Sequence, residues 1–195
     1  MELYTYYRST SSYRVRIALA LKGLAYQSLP VNLLQGEQRG EGYVAVNPQG
    51  RVPALRTDEG VVLTDNAAIA AYLEARFPEP PLLGTTPLEK AEIASWHWRA
   101  EFEGLMAIAE ALRNSAPAMA GRALPGPVDY PQIPELAQRG LARVAQFLVV
   151  LNDRLAHREY VATERFSIAD ITAAVAVDFA RVVKIKPDER HPHVQ

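Results

Sequence analysis

The chain contains no cysteine. That absence excludes a disulfide framework, thiolate metal sites and a cysteine nucleophile. Neither sign of charge dominates, since 21 Lys and Arg stand against 22 Asp and Glu for a net charge of −1. Proteins that bind nucleic acid or membrane surfaces carry a basic excess, so neither partner is expected. Long apolar runs are missing too. The longest, residues 147–151 and 171–177, fall far short of the roughly 20 residues of a membrane helix. The start Met-Glu-Leu-Tyr-Thr-Tyr-Tyr lacks the apolar core of a signal peptide, and Arg8, Arg14 and Arg16 follow it. A cytoplasmic protein is expected. There is no Gly-x-Ser-x-Gly elbow, Walker loop or dinucleotide glycine fingerprint. His191-Pro-His193 lacks a third obvious ligand, and His97 and His157 read as helix-surface or packing histidines, so no metal is expected.

What is present is an ordinary globular composition, 49% hydrophobic over 195 residues, enough for one compact domain or two small ones. The pattern divides near residue 80. Residues 2–6 read as a strand and 13–22 as a helix, where Val15, Ile17, Ala18, Leu19 and Leu21 recur before Gly23 stops them. Residues 26–31 read as a second strand, giving a right-handed βαβ unit. Strands at 52–56 and 61–64 flank the turn Asp58-Glu59-Gly60, and a helix over 66–77 follows. A proline-rich linker at 80–87 separates this βαβ-ββα half, residues 1–79, from an all-α half, residues 88–195. There Trp98, Phe102, Leu105, Ala109 and Leu112 step at helical spacing, as do Ala137, Leu141, Val144, Leu148, Leu151 and Leu155. Trp96, Trp98 and Phe102 read as core or dimer-interface aromatics. Residues 114–133, with four prolines, read as a loop. Ser167-Ile-Ala-Asp170 fits a capping box opening a third helix, with an inward stripe of Ile168, Ile171, Val175, Phe179 and Val182.

Three places carry residues able to do chemistry. Arg8-Ser9-Thr10-Ser11-Ser12-Tyr13 lies between the first strand and first helix, at the carboxyl end of a strand, where ligands of α/β sheets gather. A hydroxyl there donates to an anion with the help of the helix dipole, or one serine is a plain N-cap. The second is Asn47-Pro-Gln-Gly-Arg51-Val52-Pro53. A cis Val52–Pro53 bond would leave the Val52 backbone free to pair with a ligand's peptide group; taken alone, the sequence favours an edge-strand proline in a trans turn. The third is Thr64-Asp65-Asn66 at a helix start, where Asn66 and the helix amides suit a carboxylate and Asp65 an ammonium.

In this order and spacing the three features resemble cytosolic glutathione transferases. Ser9-Thr-Ser-Ser-Tyr-Arg-Val-Arg-Ile-Ala-Leu is similar to the zeta-class signature Ser-Ser-Cys-Ser-Trp-Arg-Val-Arg-Ile-Ala-Leu, and Phe166-Ser-Ile-Ala-Asp170 is similar to the buried capping box of the family's second domain. The resemblance implies a thioredoxin-like glutathione-binding domain before an all-α acceptor-substrate domain, and a homodimer. By position it implies that Ser9 stabilises the glutathione thiolate, with Ser11 and Tyr6 as the other hydroxyl candidates. Thr10 and Ser11 would help bind the cofactor, Val52 would pair with its cysteinyl peptide before a cis Pro53, and Asp65 and Asn66 would meet its γ-glutamyl group. Gln38 and Arg51 would stand near its glycyl end. Alternation in a short strand places Tyr4 and Tyr6 on one side and Tyr7 on the other.

A free thiol of pKa near 8.5 is only a few per cent thiolate at pH 7. One hydroxyl donor plus a helix dipole can lower that by one to two units, at about 1.4 kcal/mol each. Three departures from the family pattern matter. Ser11 replaces a cysteine common in the zeta class, Asn66 replaces a serine, and Glu103-Gly-Leu-Met106-Ala-Ile108 replaces the polar stretch of maleylacetoacetate isomerases. Glu103 and Met106 thus mark a more apolar acceptor site. The expected activity is conjugation of glutathione to electrophilic, largely apolar small molecules, without a metal. The alternatives are glutathione-dependent cis–trans isomerisation of the maleylacetoacetate or maleylpyruvate type, and a non-catalytic binding module. The family runs on beyond a segment like 191–195, so a truncated carboxyl terminus is expected.

Overall fold

A computed structural model describes residues 1–194. They form two compact units, one of residues 1–81 with 125–128, the other of residues 82–124 and 129 onward.

In the first unit the elements run β1 (Glu2–Thr5), α1 (Thr10–Leu21), β2 (Gln27–Pro30), a 3-10 turn (Glu37–Arg39), α2 (Glu41–Val44), β3 (Ala54–Arg56), β4 (Val62–Thr64) and α3 (Asn66–Arg76). The sheet order is β2-β1-β3-β4. β1 pairs in parallel with β2, as the βαβ reading requires, and antiparallel with β3, which pairs antiparallel with β4. Leu3 and Leu55 from the sheet, Val15 and Leu19 from α1, and Ile69 and Leu73 from α3 are buried. Lys22 fastens the far end of α3. Its Nζ donates to the Phe77 and Pro80 carbonyls at 2.7 and 2.8 Å and pairs with Glu74 at 2.9 Å, a cation where the helix presents its unpaired carbonyls.

Two local expectations change. α1 starts at Thr10, three residues earlier than the apolar pattern indicates, because Ser9 caps it. Ser and Thr disfavour helix interiors but suit the first turn, so apolar periodicity alone hides the start. The Val52–Pro53 bond is cis and β3 begins only at Ala54, in the middle of the sheet. The reading of an edge-strand proline in a trans turn is therefore wrong on both counts.

The second unit is helical: α4 (Pro87–Arg99), α5 (Met106–Ser115), α6 (Pro134–Leu155) and α7 (Ile168–Phe179), with short 3-10 turns at Pro117–Met119 and Ala180–Val183. Thr86 and Glu89 form a capping box at the start of α4. A π-helical turn, Ala100–Leu105, joins α4 to α5. The buried face runs on at helical spacing through Ile93, Ala100, Gly104, Ala107, Ile108 and Ala111. The expected stripe fails at its first two members: Trp98 and Phe102 are exposed, stacked on each other at 5.2 Å. In α6, Ala137, Val144, Leu148 and Leu151 are buried as expected, whereas Leu141 is exposed. Gly140 is required by close packing, since a Cβ there would lie 2.7 Å from the Ala107 carbonyl oxygen and from the Ala111 nitrogen of α5.

The start of α7 holds a buried polar cluster. The Asp170 carboxylate accepts from the Val161 amide at 2.7 Å, the Ser167 amide at 2.8 Å and the Ser167 hydroxyl at 2.9 Å, while Ser167 Oγ accepts from the Ala169 amide at 3.2 Å. Among the described residues, no helix is long and apolar enough to cross a membrane.

Candidate functional site

The turn from β1 into α1 is held from three sides. The Ser9 amide donates to the Tyr6 carbonyl at 3.0 Å. Arg16 donates to Thr5 Oγ1 at 3.0 Å, to the same Tyr6 carbonyl at 3.2 Å and to the Tyr7 carbonyl at 3.1 Å. The fully buried Ser12 accepts from the Tyr6 amide at 3.4 Å. Ser9 is thereby set at the N-cap, where its Oγ accepts the Ser12 amide at 3.2 Å. A hydroxyl has one proton and two acceptor sites, so this bond fixes the oxygen and leaves its O–H to donate outward. The Thr10 and Ser11 amides, in the first turn, have no helical partner of their own.

Asn66 brings the second helix N-terminus alongside the first. Its Nδ2 donates to the Ser11 carbonyl at 3.0 Å. The amide expected to serve a ligand carboxylate therefore spends one of its two N–H groups inside the protein. Asp65 caps α3 by accepting from the Ala68 amide at 3.0 Å, and adopts φ 63 and ψ 160, a region that non-glycine residues occupy at a cost of order 1–3 kcal/mol. Two helix N-termini set side by side favour a bound anion.

The Asn47–Val52 loop completes this side of the unit. Tyr43 Oη and Asn47 Nδ2 both donate to the Arg51 carbonyl, at 2.6 and 2.7 Å. Burial pushes the Tyr43 hydroxyl up to about 12, with a partial offset from its contact with Asn47, so it remains a donor throughout the working pH range. Val52 packs with Tyr6, Val31 and Tyr43, and Tyr4 lies against the same cluster, its ring 5.8 Å from that of Tyr43. Tyr4 and Tyr6 share a side as alternation predicts, and Tyr7 is 72% exposed. Tyr6 is thus sealed in an apolar cluster, and burial raises its hydroxyl. Gln38 is buried with its Oε1 lacking a hydrogen-bond partner. Arg51 is exposed and donates to Gln49 Oε1 at 3.2 Å.

The structure sets Asn66, with Asp65 before it, against the first turn of α1 that carries Thr10 and Ser11 behind the Ser9 cap, and puts Gln38 against the loop that leads to Arg51, Val52 and Pro53. Nothing in the sequence indicates that residues 125–128 belong with them, yet these group with the first unit and the Gly126 carbonyl accepts from Arg39 at 3.5 Å. Arg16 and Tyr43 are also unannounced, and Asn47, though it opens the second feature, has no role of its own in that pattern. The Asn-Pro turn signal and an arginine in an otherwise apolar helix stretch are the only cues. In the second unit, Glu103 is paired with Arg99 at 3.2 and 3.3 Å and Met106 is half exposed. Among the described residues no group of three or more His, Asp or Glu is placed to hold a metal ion.

Residues 8–76 match the model of the glutathione S-transferase N-terminal domain, and residues 115–195 that of the C-terminal domain. Glutathione S-transferase 2 of Saccharomyces cerevisiae is 35% identical over 179 residues, 90% of this chain and 74% of that protein. The crystal structure of Gtt2 from Saccharomyces cerevisiae superposes with a TM-score of 0.88 at 32% identity, covering 100% of this chain and 92% of that one. The chain belongs to the glutathione S-transferase family. A maleylacetoacetate isomerase of Pseudomonas aeruginosa is 67% identical over 93 residues, 47% of this chain and 44% of that protein, so the match spans less than half of that relative's length.

Proposed function

We propose that the protein is a glutathione transferase in which Ser9 stabilises the thiolate of bound glutathione, which then attacks an electrophilic, largely apolar small molecule. The observation that carries this reading is the Ser9 N-cap. Its oxygen is fixed by the Ser12 amide at 3.2 Å, and its proton is left to donate at the N-terminus of a 12-residue helix. The protein then needs no base of its own, only a preorganised donor. With no cysteine in the chain, the reacting thiol comes from the co-substrate.

Around the thiolate, Thr10 and Ser11 offer first-turn amides, and Asn66 and the α3 amides receive the γ-glutamyl carboxylate while Asp65 meets the ammonium. Val52 pairs with the cysteinyl peptide ahead of Pro53, and Gln38 and Arg51 stand at the glycyl end. The first unit is read as the glutathione-binding domain. The second, with Glu103 and Met106, is read as the source of the acceptor site. A cytoplasmic homodimer without a metal is part of the same proposal.

A second reading, glutathione-dependent cis–trans isomerisation, is favoured by the 67% identity to the isomerase of Pseudomonas aeruginosa. It uses the same thiolate by reversible addition. Turnover of maleylacetoacetate against a chlorinated nitroarene separates the two. Conjugation of the nitroarene without isomerisation supports the first reading, and the reverse supports the second. Failure of the chain to bind immobilised glutathione rejects both in favour of a non-catalytic module.

A further inference from the structure

The Arg51 carbonyl carries two side-chain donors, one from α2 and one from the start of its own loop. Tyr43 Oη lies 2.6 Å from it and Asn47 Nδ2 2.7 Å. Both donors are sealed, Tyr43 at 7% exposure and Asn47 at 2%. They are also tied to each other, since the Asn47 amide donates to the Tyr43 carbonyl at 2.8 Å. The loop between them and Arg51 is closed. Asn47 Oδ1 accepts from the Gln49 amide at 3.0 Å, and the Asn47 carbonyl accepts from the Gly50 amide at 2.9 Å. Gly50 has φ +57, and a Cβ there would sit 2.9 Å from the Gln38 carbonyl oxygen, so only glycine makes this approach.

The Arg51 carbonyl and the Val52 N–H belong to one planar peptide unit, and that bond is not among the cis bonds of the chain. In a trans peptide the two point in opposite directions. Fixing the oxygen against Tyr43 and Asn47 therefore fixes the N–H away from them. Two donors on the oxygen also polarise the unit, strengthening the N–H as a donor in its turn.

We infer that Tyr43 and Asn47 are positioning residues for recognition of the ligand's peptide group. They act through the Arg51–Val52 peptide, aiming and polarising the Val52 N–H without touching the ligand. This rests on the glutathione reading above. It adds two buried side chains that set affinity for the peptide portion and leave the chemistry of the sulfur alone.

The test uses the full chain with Tyr43→Phe, Asn47→Ala and Asn47→Asp, the last nearly isosteric but without the amide donor. The probe is S-methylglutathione, which keeps the peptide and lacks the thiol, titrated well below the thermal midpoint of each variant. Tyr43→Phe, which removes only the hydroxyl, is expected to weaken binding about three- to tenfold, as the loss of one well-placed hydrogen bond does. The KM for glutathione should rise by the same factor, with kcat and the pH midpoint of thiolate formation unchanged. In amide spectra, the ligand-induced shift of the Val52 N–H should shrink in Tyr43→Phe and in both Asn47 variants. Wild type that fails to bind S-methylglutathione overturns the glutathione reading itself. Wild type that binds, alongside a folded Tyr43→Phe with equal affinity and an equal Val52 shift, overturns the positioning role. A folded Asn47→Asp that binds as well as wild type does the same.

Discussion

Ser9 Oγ accepts the Ser12 amide at 3.2 Å, and this one bond caps α1 while orienting the hydroxyl proposed to hold a thiolate. Stability and chemistry are therefore joined at one atom, and substitutions can separate them. Ser9→Ala removes both functions and should lower stability by about 1 kcal/mol, seen as a reduced urea midpoint. Ser9→Asp keeps an N-cap acceptor and should retain near-wild-type stability, yet its negative charge repels a thiolate. Conjugating activity should then fall in both variants although only one is destabilised. A Ser9→Asp protein that is fully active would contradict the role assigned to the hydroxyl.

Asp65 combines φ 63 and ψ 160 with a side chain that caps α3. Glycine occupies that region freely and caps a helix almost as well as aspartate. Asp65→Gly should therefore raise stability by roughly 1 kcal/mol, relief of strain outweighing the added freedom of the unfolded chain. Glutathione affinity should fall, because the carboxylate proposed to meet the ammonium is gone. Calorimetric melting and ligand titration of the same sample check both halves. A variant that is both less stable and undiminished in affinity would reverse the argument.

Asp170 accepts two buried amides and one buried hydroxyl around the start of α7. Asp170→Ala leaves those donors unsatisfied in the interior, at about 3 kcal/mol. Asp170→Asn retains one acceptor oxygen and should lose less. Urea denaturation gives both values, and a loss below 1 kcal/mol for the alanine variant would show that the network is dispensable.

Glu89 accepts from Thr85 Oγ1 at 2.6 Å and from the Thr85 and Thr86 amides at 2.9 and 3.2 Å. These bonds, the Thr85 hydroxyl first, lower its carboxyl to about 2, against an ordinary value of about 4.3. A depressed carboxylate stabilises the fold fully above its unfolded value and loses that contribution as pH falls through the folded one. The difference in denaturation midpoint between wild type and Glu89→Gln should be constant above about pH 5 and narrow between about pH 4 and 2. A difference that is flat across that window would exclude the ionised capping box.

Much of both halves was legible because β1 alternates and α1 and α6 bury one face at helical spacing. In α7 Ile168, Ile171 and Val175 are buried as expected, but the helix is buried on nearly every side and Val182, past its end, is exposed. The failures have specific causes. Thr10, Ser11 and Ser12 look like loop because their helical role is confined to the first turn. Trp98 and Phe102 share a face at helical spacing, but the buried face runs through Ile93, Ala100, Gly104, Ala107 and Ala111 on the other side, because the small residues and not the aromatics pack inward. At the site, the hydroxyl cluster and the Val52–Pro53 and Asp65–Asn66 pairs were visible as types in order. The roles of Arg16, Tyr43 and Asn47 were not, because each acts on a backbone carbonyl whose direction no residue pattern encodes.

The most direct measurement is the ultraviolet absorbance of the thiolate of bound glutathione, titrated with pH in wild type and in Ser9→Ala. A donor and a helix dipole on the sulfur should bring the wild-type midpoint to about 7 or below, one to two units under the free thiol. In Ser9→Ala the midpoint should return toward that of free glutathione. Identical midpoints in the two proteins, with glutathione bound to both, would contradict the account.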